Sequence, residues 1–176
     1  AVLIAAFLAV PVMAGAEGVP APEGYRMEKY RAPVPDELPG AQVLSAAEAH
    51  ALWTGGAAFV DVLPRAPKPA NLPEGTIWRE KPRHSIPRAI WLPNVGYGAI
   101  APVTEAYFKA GLEKATGGDT EKPLVIFCLA DCWMSWNAAK RAMDYGYAQV
   151  HWMPKGTDGW AEAGYPLEVV APEPGY

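Results

Sequence analysis

Cysteine, histidine and basic charge are all scarce in this 176-residue chain, which holds two Cys, three His and a net charge of −4. The acidic balance gives no global attraction to phosphate backbones or to anionic membrane surfaces, so nucleic acid is not an expected partner. Beyond the first sixteen residues no stretch is apolar and long enough to span a bilayer. No Lys or Arg falls between Lys122 and Lys140. What the chain does have is a 51% hydrophobic composition, enough for one sizeable core, with seven Trp, eight Tyr, 19 Pro and 17 Gly. Long ordered loops are expected from so many Pro and Gly.

The opening residues 1–16 are apolar and end in Ala14-Gly15-Ala16, a small-x-small pattern before Glu17. They read as a secretory signal peptide without its basic leading region, cleaved on export to the periplasm, with no stable membrane insertion afterwards. Residues 17–40 are Pro-rich without helical or strand period, and read as a surface arm or tether. The folded domain is expected over 41–168, followed by an irregular tail over 169–176.

Within the domain, a short apolar run over 41–44 precedes Ser45 and Glu48, the two ends of a capping box, which opens a helix over 46–53. A buried strand over 57–62 carries one acid, Asp61, at its end. Residues 63–83 contain five prolines and are too broken for regular structure. His84 begins a turn and short strand that runs to Pro93. A helix over 104–114 is expected with Thr104 as N-cap, then an apolar strand over 124–127, an amphipathic helix over 135–145, a strand over 150–153 and a last short helix after Gly156. Alternating strands and helices in this order specify an α/β fold: a mostly parallel central sheet with helices on both faces.

Both cysteines lie in one hexapeptide, Cys128-Leu129-Ala130-Asp131-Cys132-Trp133, between the 124–127 strand and the following helix. A thiol placed where loop amides feed a helix N-terminus is stabilised as its thiolate. Cys132 can attack a modified Cys128 and resolve it as an intramolecular disulfide, or the two can form an inert staple across the loop. Closing so short a loop removes little unfolded-state entropy, which makes the staple the weaker use. Two thiolates with His84 would suit a soft ion such as Cu(I), although there is no second cysteine cluster. Trp133, Trp136 and Trp160 either stack on a flat quinone or pack around the loop. Asp61 either fixes loop amides or accepts a proton from Cys128, and Asp131 and Asp158 would raise the Cys128 pKa if they face the mouth.

The order of these pieces resembles a rhodanese domain. The resemblance rests on the strand ending in Asp61, the His84-x-Ile86-Pro87-x-Ala89 segment, the Phe127-Cys128 loop, the Ala-rich helix ending at Gly146-Tyr147, and the Gly156 to Trp160 turn. The stretch from Cys128 through Trp133, Ser135 and Trp136 to Arg141 further resembles exported rhodanese-like proteins associated with pyrroloquinoline-quinone-dependent (PQQ) alcohol catabolism and named for a CXXCW motif. Here three residues separate the cysteines instead of two. The rhodanese resemblance implies sulfur transfer through a persulfide on Cys128. The family's loop commonly carries an Arg five residues after the cysteine to bind an anionic donor, and here that position is Trp133. A site without that cation loses the charge-assisted hydrogen bonds that favour thiosulfate, unless Arg65, Lys68 or Arg83 folds over the mouth.

Together these readings specify an exported, single-domain protein using Cys128 and Cys132 for thiol redox or sulfur handling. Asp61, His84, Asp131, Trp133, Ser135, Trp136, Asp158 and Trp160 are its candidate binding or loop-supporting residues. No cofactor is firmly implied; PQQ and Cu(I) are the candidates. The alternative is a noncatalytic module, or a carrier of soft metal or cofactor, that docks a quinoprotein dehydrogenase or a c-type cytochrome.

Overall fold

A computed structural model describes residues 18–175, so the signal peptide expected over 1–16 lies outside the described residues. Five parallel strands form the central sheet: β1 (Gln42–Val43), β2 (Ala58–Asp61), β4 (Ile90–Trp91), β5 (Leu124–Phe127) and β6 (Val150–Met153), in the order β1-β6-β5-β2-β4. β5 is a continuous apolar run, and β2 and β6 are apolar apart from Asp61 and His151, because helices cover both faces of these central strands. Alternation along them divides the core. Val60, Ile126 and Trp152 pack with Phe108 and Leu112 of α2 (Pro102–Thr116) and with Trp136 and Ala139 of α3 (Trp133–Asp144). Phe59, Val125, Phe127 and Met153 pack with Ala49 of α1 (Ala46–Thr54) and Trp160 of α4 (Gly156–Glu162) on the other side.

The capping box that opens α1 is present: Glu48 N–H donates to Ser45 Oγ at 3.3 Å, and Ser45 N–H donates to Glu48 Oε2 at 2.8 Å. The start of α2 differs from the sequence reading. Its N-cap is Ala101, without a side-chain cap, and Pro102 opens the first turn, where its missing N–H removes no helical hydrogen bond. Thr104 is instead buried inside the helix. The C-terminal segment is also more regular than its composition implies. β3 (Arg83–Ser85) and β7 (Glu168–Val170) pair antiparallel in a separate two-stranded sheet. That pairing depends on partners more than 80 residues apart, which local pattern cannot reveal.

The arm, read from the sequence as a surface arm or tether, is docked. Its described part is laid along the cysteine loop and α3, with Leu38 2% exposed in the core. Asn137 anchors it twice, accepting from Arg26 N–H through Oδ1 at 2.8 Å and donating from Nδ2 to Arg26 O at 2.8 Å. Gly98 allows the close approach on the other side, since a Cβ there would sit 2.4 Å from Arg26 O. Among the described residues, no helix is long and apolar enough to cross a membrane.

Candidate active site

β5 delivers Cys128 to the carboxyl end of the sheet, and α3 begins directly after Cys132. In open α/β sheets this end is where ligands bind. Cys128 and Cys132 form a disulfide with Cα atoms 6.3 Å apart. The curvature that brings them together passes through Asp131, whose φ is +51°. Asp is among the residues that tolerate this left-handed conformation. Both sulfur-bearing residues are buried, Cys128 at 0% and Cys132 at 1% exposure.

The base of the loop is held by α4. Gly156 has φ +47°, and a Cβ on it would lie 2.1 Å from Cys128 O. The bare backbone therefore approaches close enough for Thr157 N–H to donate to Cys128 O at 3.0 Å. Asp158 is exposed, and its Oδ2 accepts from Ala130 N–H at 3.0 Å. Ser135 is buried; its hydroxyl donates to Cys132 O at 3.0 Å and accepts from Trp152 Nε1 at 3.0 Å, tying the start of α3 to β6.

Asp61 lies under the same loop with 0% exposure. Its Oδ1 accepts from Leu63 N–H at 2.9 Å, and its Oδ2 accepts from Arg83 Nε at 2.7 Å and from Ser85 Oγ at 2.5 Å. Arg83 also donates through Nη2 to Cys128 O at 3.4 Å. Burial pushes the Asp61 carboxyl upward, against the pull of the Arg83 guanidinium and of the Ser85 and Leu63 donors. Leu63, Arg83 and Ser85 thus take up both oxygens of the Asp61 carboxylate beneath the cysteine loop.

The tryptophans take the packing alternative. Trp133, Trp136 and Trp160 are exposed by 1%, 0% and 1%, so none presents a face to a quinone. Trp133 and Trp136 pack edge to face at 5.5 Å and donate through Nε1 to Pro33 O and Glu37 O of the arm. Trp160 belongs to an aromatic cluster with His50, Trp53 and Tyr165 and donates to Pro166 O. The Cu(I) grouping is not assembled, because the two sulfurs are bonded to each other and His84 sits at the exposed position of β3. Among the described residues no cluster of three or more His, Cys, Asp and Glu is arranged to hold a metal.

Two of the loop amides are already engaged within the chain. Ala130 N–H is taken by Asp158, and Trp133 N–H donates to Tyr30 O of the arm at 2.9 Å. Of the long-loop cations considered, Arg65 pairs with Glu80 and Arg83 with Asp61. Beside the loop lies a cleft of about 440 Å³ bordered by Asp36, Asp131, Asp158 and Glu162, with Lys155 the one cation among the described residues that line it. An anionic donor would meet a negative rim there. Sequence reasoning missed Arg31, whose Nη1 donates to Ala130 O at 2.8 Å from the arm. It also missed Asn137 and Ser85, polar residues whose partners lie far away in sequence.

The site can therefore be described as a buried disulfide at the end of a parallel strand, propped by a buried ion pair and roofed by the arm. The fold around it is rhodanese-like. It is similar to that of a thiosulfate sulfurtransferase from Pseudomonas aeruginosa, with a TM-score of 0.50 and 18% identity over 76% of this chain and 21% of that chain. This chain thus spans about a fifth of that neighbour's length. Two further similar structures are a polysulfide-sulfur transferase homodimer from Wolinella succinogenes and an uncharacterized protein from Saccharomyces cerevisiae. The first has a TM-score of 0.48 and 21% identity over 74% of this chain and 80% of that chain. The second has a TM-score of 0.41 and 22% identity over 70% and 93%. No protein-family model matches the sequence. No curated protein matches it.

Proposed function

We propose that this chain is an exported sulfur-handling protein in which Cys128 carries the reacting sulfur and Cys132 resolves it. The observation that carries the reading is the disulfide between them at the carboxyl end of β5. In the dithiol form, the Cys128 thiolate attacks a sulfur of a disulfide or polysulfide. One S–S bond forms, and the displaced sulfur leaves as a thiolate or a shorter polysulfide. The Cys132 thiolate then attacks Cys128 Sγ, forming the bond between the two cysteines and releasing the carried sulfur as a thiol or as sulfide. The substrate gains two electrons and the pair loses two, so a dithiol reductant must restore the pair after each turn.

A second cysteine changes what a rhodanese-like loop does: a persulfide that would otherwise await an acceptor is discharged within the chain. The missing Arg at Trp133 and the acidic cleft argue against thiosulfate as donor and favour a neutral or protein-borne sulfur. From the CXXCW-like stretch we place this chemistry in the periplasm, in support of PQQ-dependent alcohol oxidation. The partner would be a quinoprotein dehydrogenase or a c-type cytochrome. The burial of both sulfurs supports a second reading, a noncatalytic module that docks such a partner. Complementation separates the two. A strain lacking the protein and carrying the folded Cys128→Ser variant should fail to grow on the alcohol; growth equal to wild type would sink the catalytic reading.

A further inference from the structure

Residues 30–38 are joined to the site as one peptide is joined to another. Arg31 and Cys132 form an antiparallel bridge. Ala32 N–H donates to Asp131 O at 3.2 Å, and Tyr30 O accepts from Trp133 N–H at 2.9 Å. These are main-chain bonds, independent of the arm's own side chains. Side chains then add register: Arg31 reaches Ala130 O, and the indoles of Trp133 and Trp136 donate to the carbonyls of Pro33 and Glu37. Strand addition of this kind recognises extended peptides through the backbone. Through Tyr30, Ala32 and Val34 the arm also packs against the buried cluster that holds both cysteines, which are at most 1% exposed, so an attacking thiolate has no access to the S–S bond in this state.

We propose that the edge formed by Asp131, Cys132 and Trp133 is a binding site for an extended protein segment, occupied in this state by the chain's own arm, which must lift before the disulfide reacts. The inference rests on the pair being the reacting centre. The substrate class it names is a protein thiol or disulfide presented on an extended stretch, which would use the same Asp131 carbonyl and Trp133 amide that the arm uses. The arm is then a competitive strap. Reduction follows ordinary exchange: a dithiol's first thiolate attacks one sulfur of the pair and forms a mixed disulfide, releasing the other as a thiolate. The dithiol's second thiolate then closes its own disulfide and frees both cysteines.

The test is the rate at which a small dithiol reduces the pair in the full chain, read by alkylation and intact mass. A strap makes the wild-type rate level off with dithiol concentration at the rate of arm opening measured by amide exchange of residues 26–38. In Arg31→Ala and Ala32→Pro, with core amides still protected, reduction should quicken about tenfold or more. A synthetic peptide of residues 26–38, added to the loosened variant, should slow reduction again, and the same peptide with Ala32→Pro, which lacks the N–H that meets Asp131 O, should not. The wild-type curve needs no variant to fold. Reduction that rises linearly without limit, or variants whose arm exchanges freely while the pair reduces at the wild-type rate, would overturn the strap. Equal effects of the two peptides would overturn the binding site. None of these readouts depends on turnover. Failure of the sulfur chemistry itself would appear separately, as an opened variant whose reduced pair passes nothing to a protein disulfide.

Discussion

Asp61 and Arg83 set the energetics beneath the cysteine loop. A buried ion pair is costly to break from one side, because the remaining charge is left without a partner in a medium that cannot solvate it. Arg83→Met should therefore destabilise the fold by about 3–5 kcal/mol. Asp61→Asn combined with Arg83→Met should recover part of that loss, as a double-mutant cycle in urea would show. His151 behaves differently. It sits in β6, both ring nitrogens are buried without a hydrogen-bond partner, and burial lowers its pKa from the ordinary 6.5. Between the lowered value and 6.5 the unfolded chain binds more protons than the folded one, so stability falls as pH drops through that window. His151→Phe should flatten the fall in urea stability as pH drops below 6.5. At this scale the sequence revealed which residues carry chemistry but not their partners. Cys128 and Asp61 stand out at strand ends. Nothing local to Ser85, Asn137 or Arg31 signals contacts with residues as much as about a hundred positions away.

The elements were legible where the signal is local. The capping box gave the start of α1 because both of its partners lie within four residues, and mostly apolar runs located β2, β5 and β6 because strands covered on both faces bury nearly every side chain. β7 escaped notice because its pairing with β3 is tertiary, and the arm escaped because Pro-rich sequence looks alike whether it is tethered or docked. The turn into α4 is where an element and the site meet. Gly156→Ala would place a methyl group against Cys128 O and force a left-handed residue, costing roughly 1–3 kcal/mol from the backbone conformation alone. Chemical denaturation should register at least that loss. A shift in the Cys128–Cys132 reduction potential should accompany it, because the same backbone contact holds the loop. Gly164→Ala is the control: its φ is also positive, but nothing lies near its Cβ, so it should cost stability without moving the potential.

Across the whole molecule, a rhodanese-like sheet brings a loop to its carboxyl end, and this chain has equipped that loop with a second sulfur and a roof. The parallel order follows from alternating strands and helices, so the architecture could be read before any coordinates. The roof could not, since it depends on the arm meeting α3. On the proposed reading, acid at the rim, Trp133 in place of a cation, and two loop amides already engaged disfavour small anionic donors. That reading leaves exchange between sulfurs, with Cys132 finishing what Cys128 begins.

That claim is tested most directly by intact-protein mass spectrometry of the pre-reduced chain after brief exposure to a neutral dialkyl trisulfide. Cys132→Ser should accumulate a mixed disulfide or trisulfide adduct on Cys128, while the wild type should show no lasting adduct, regain its disulfide and release the carried sulfur as a thiol or hydropersulfide. A Cys132→Ser chain that takes up no sulfur, or a wild-type chain that keeps its adduct as long as the variant does, would contradict the account.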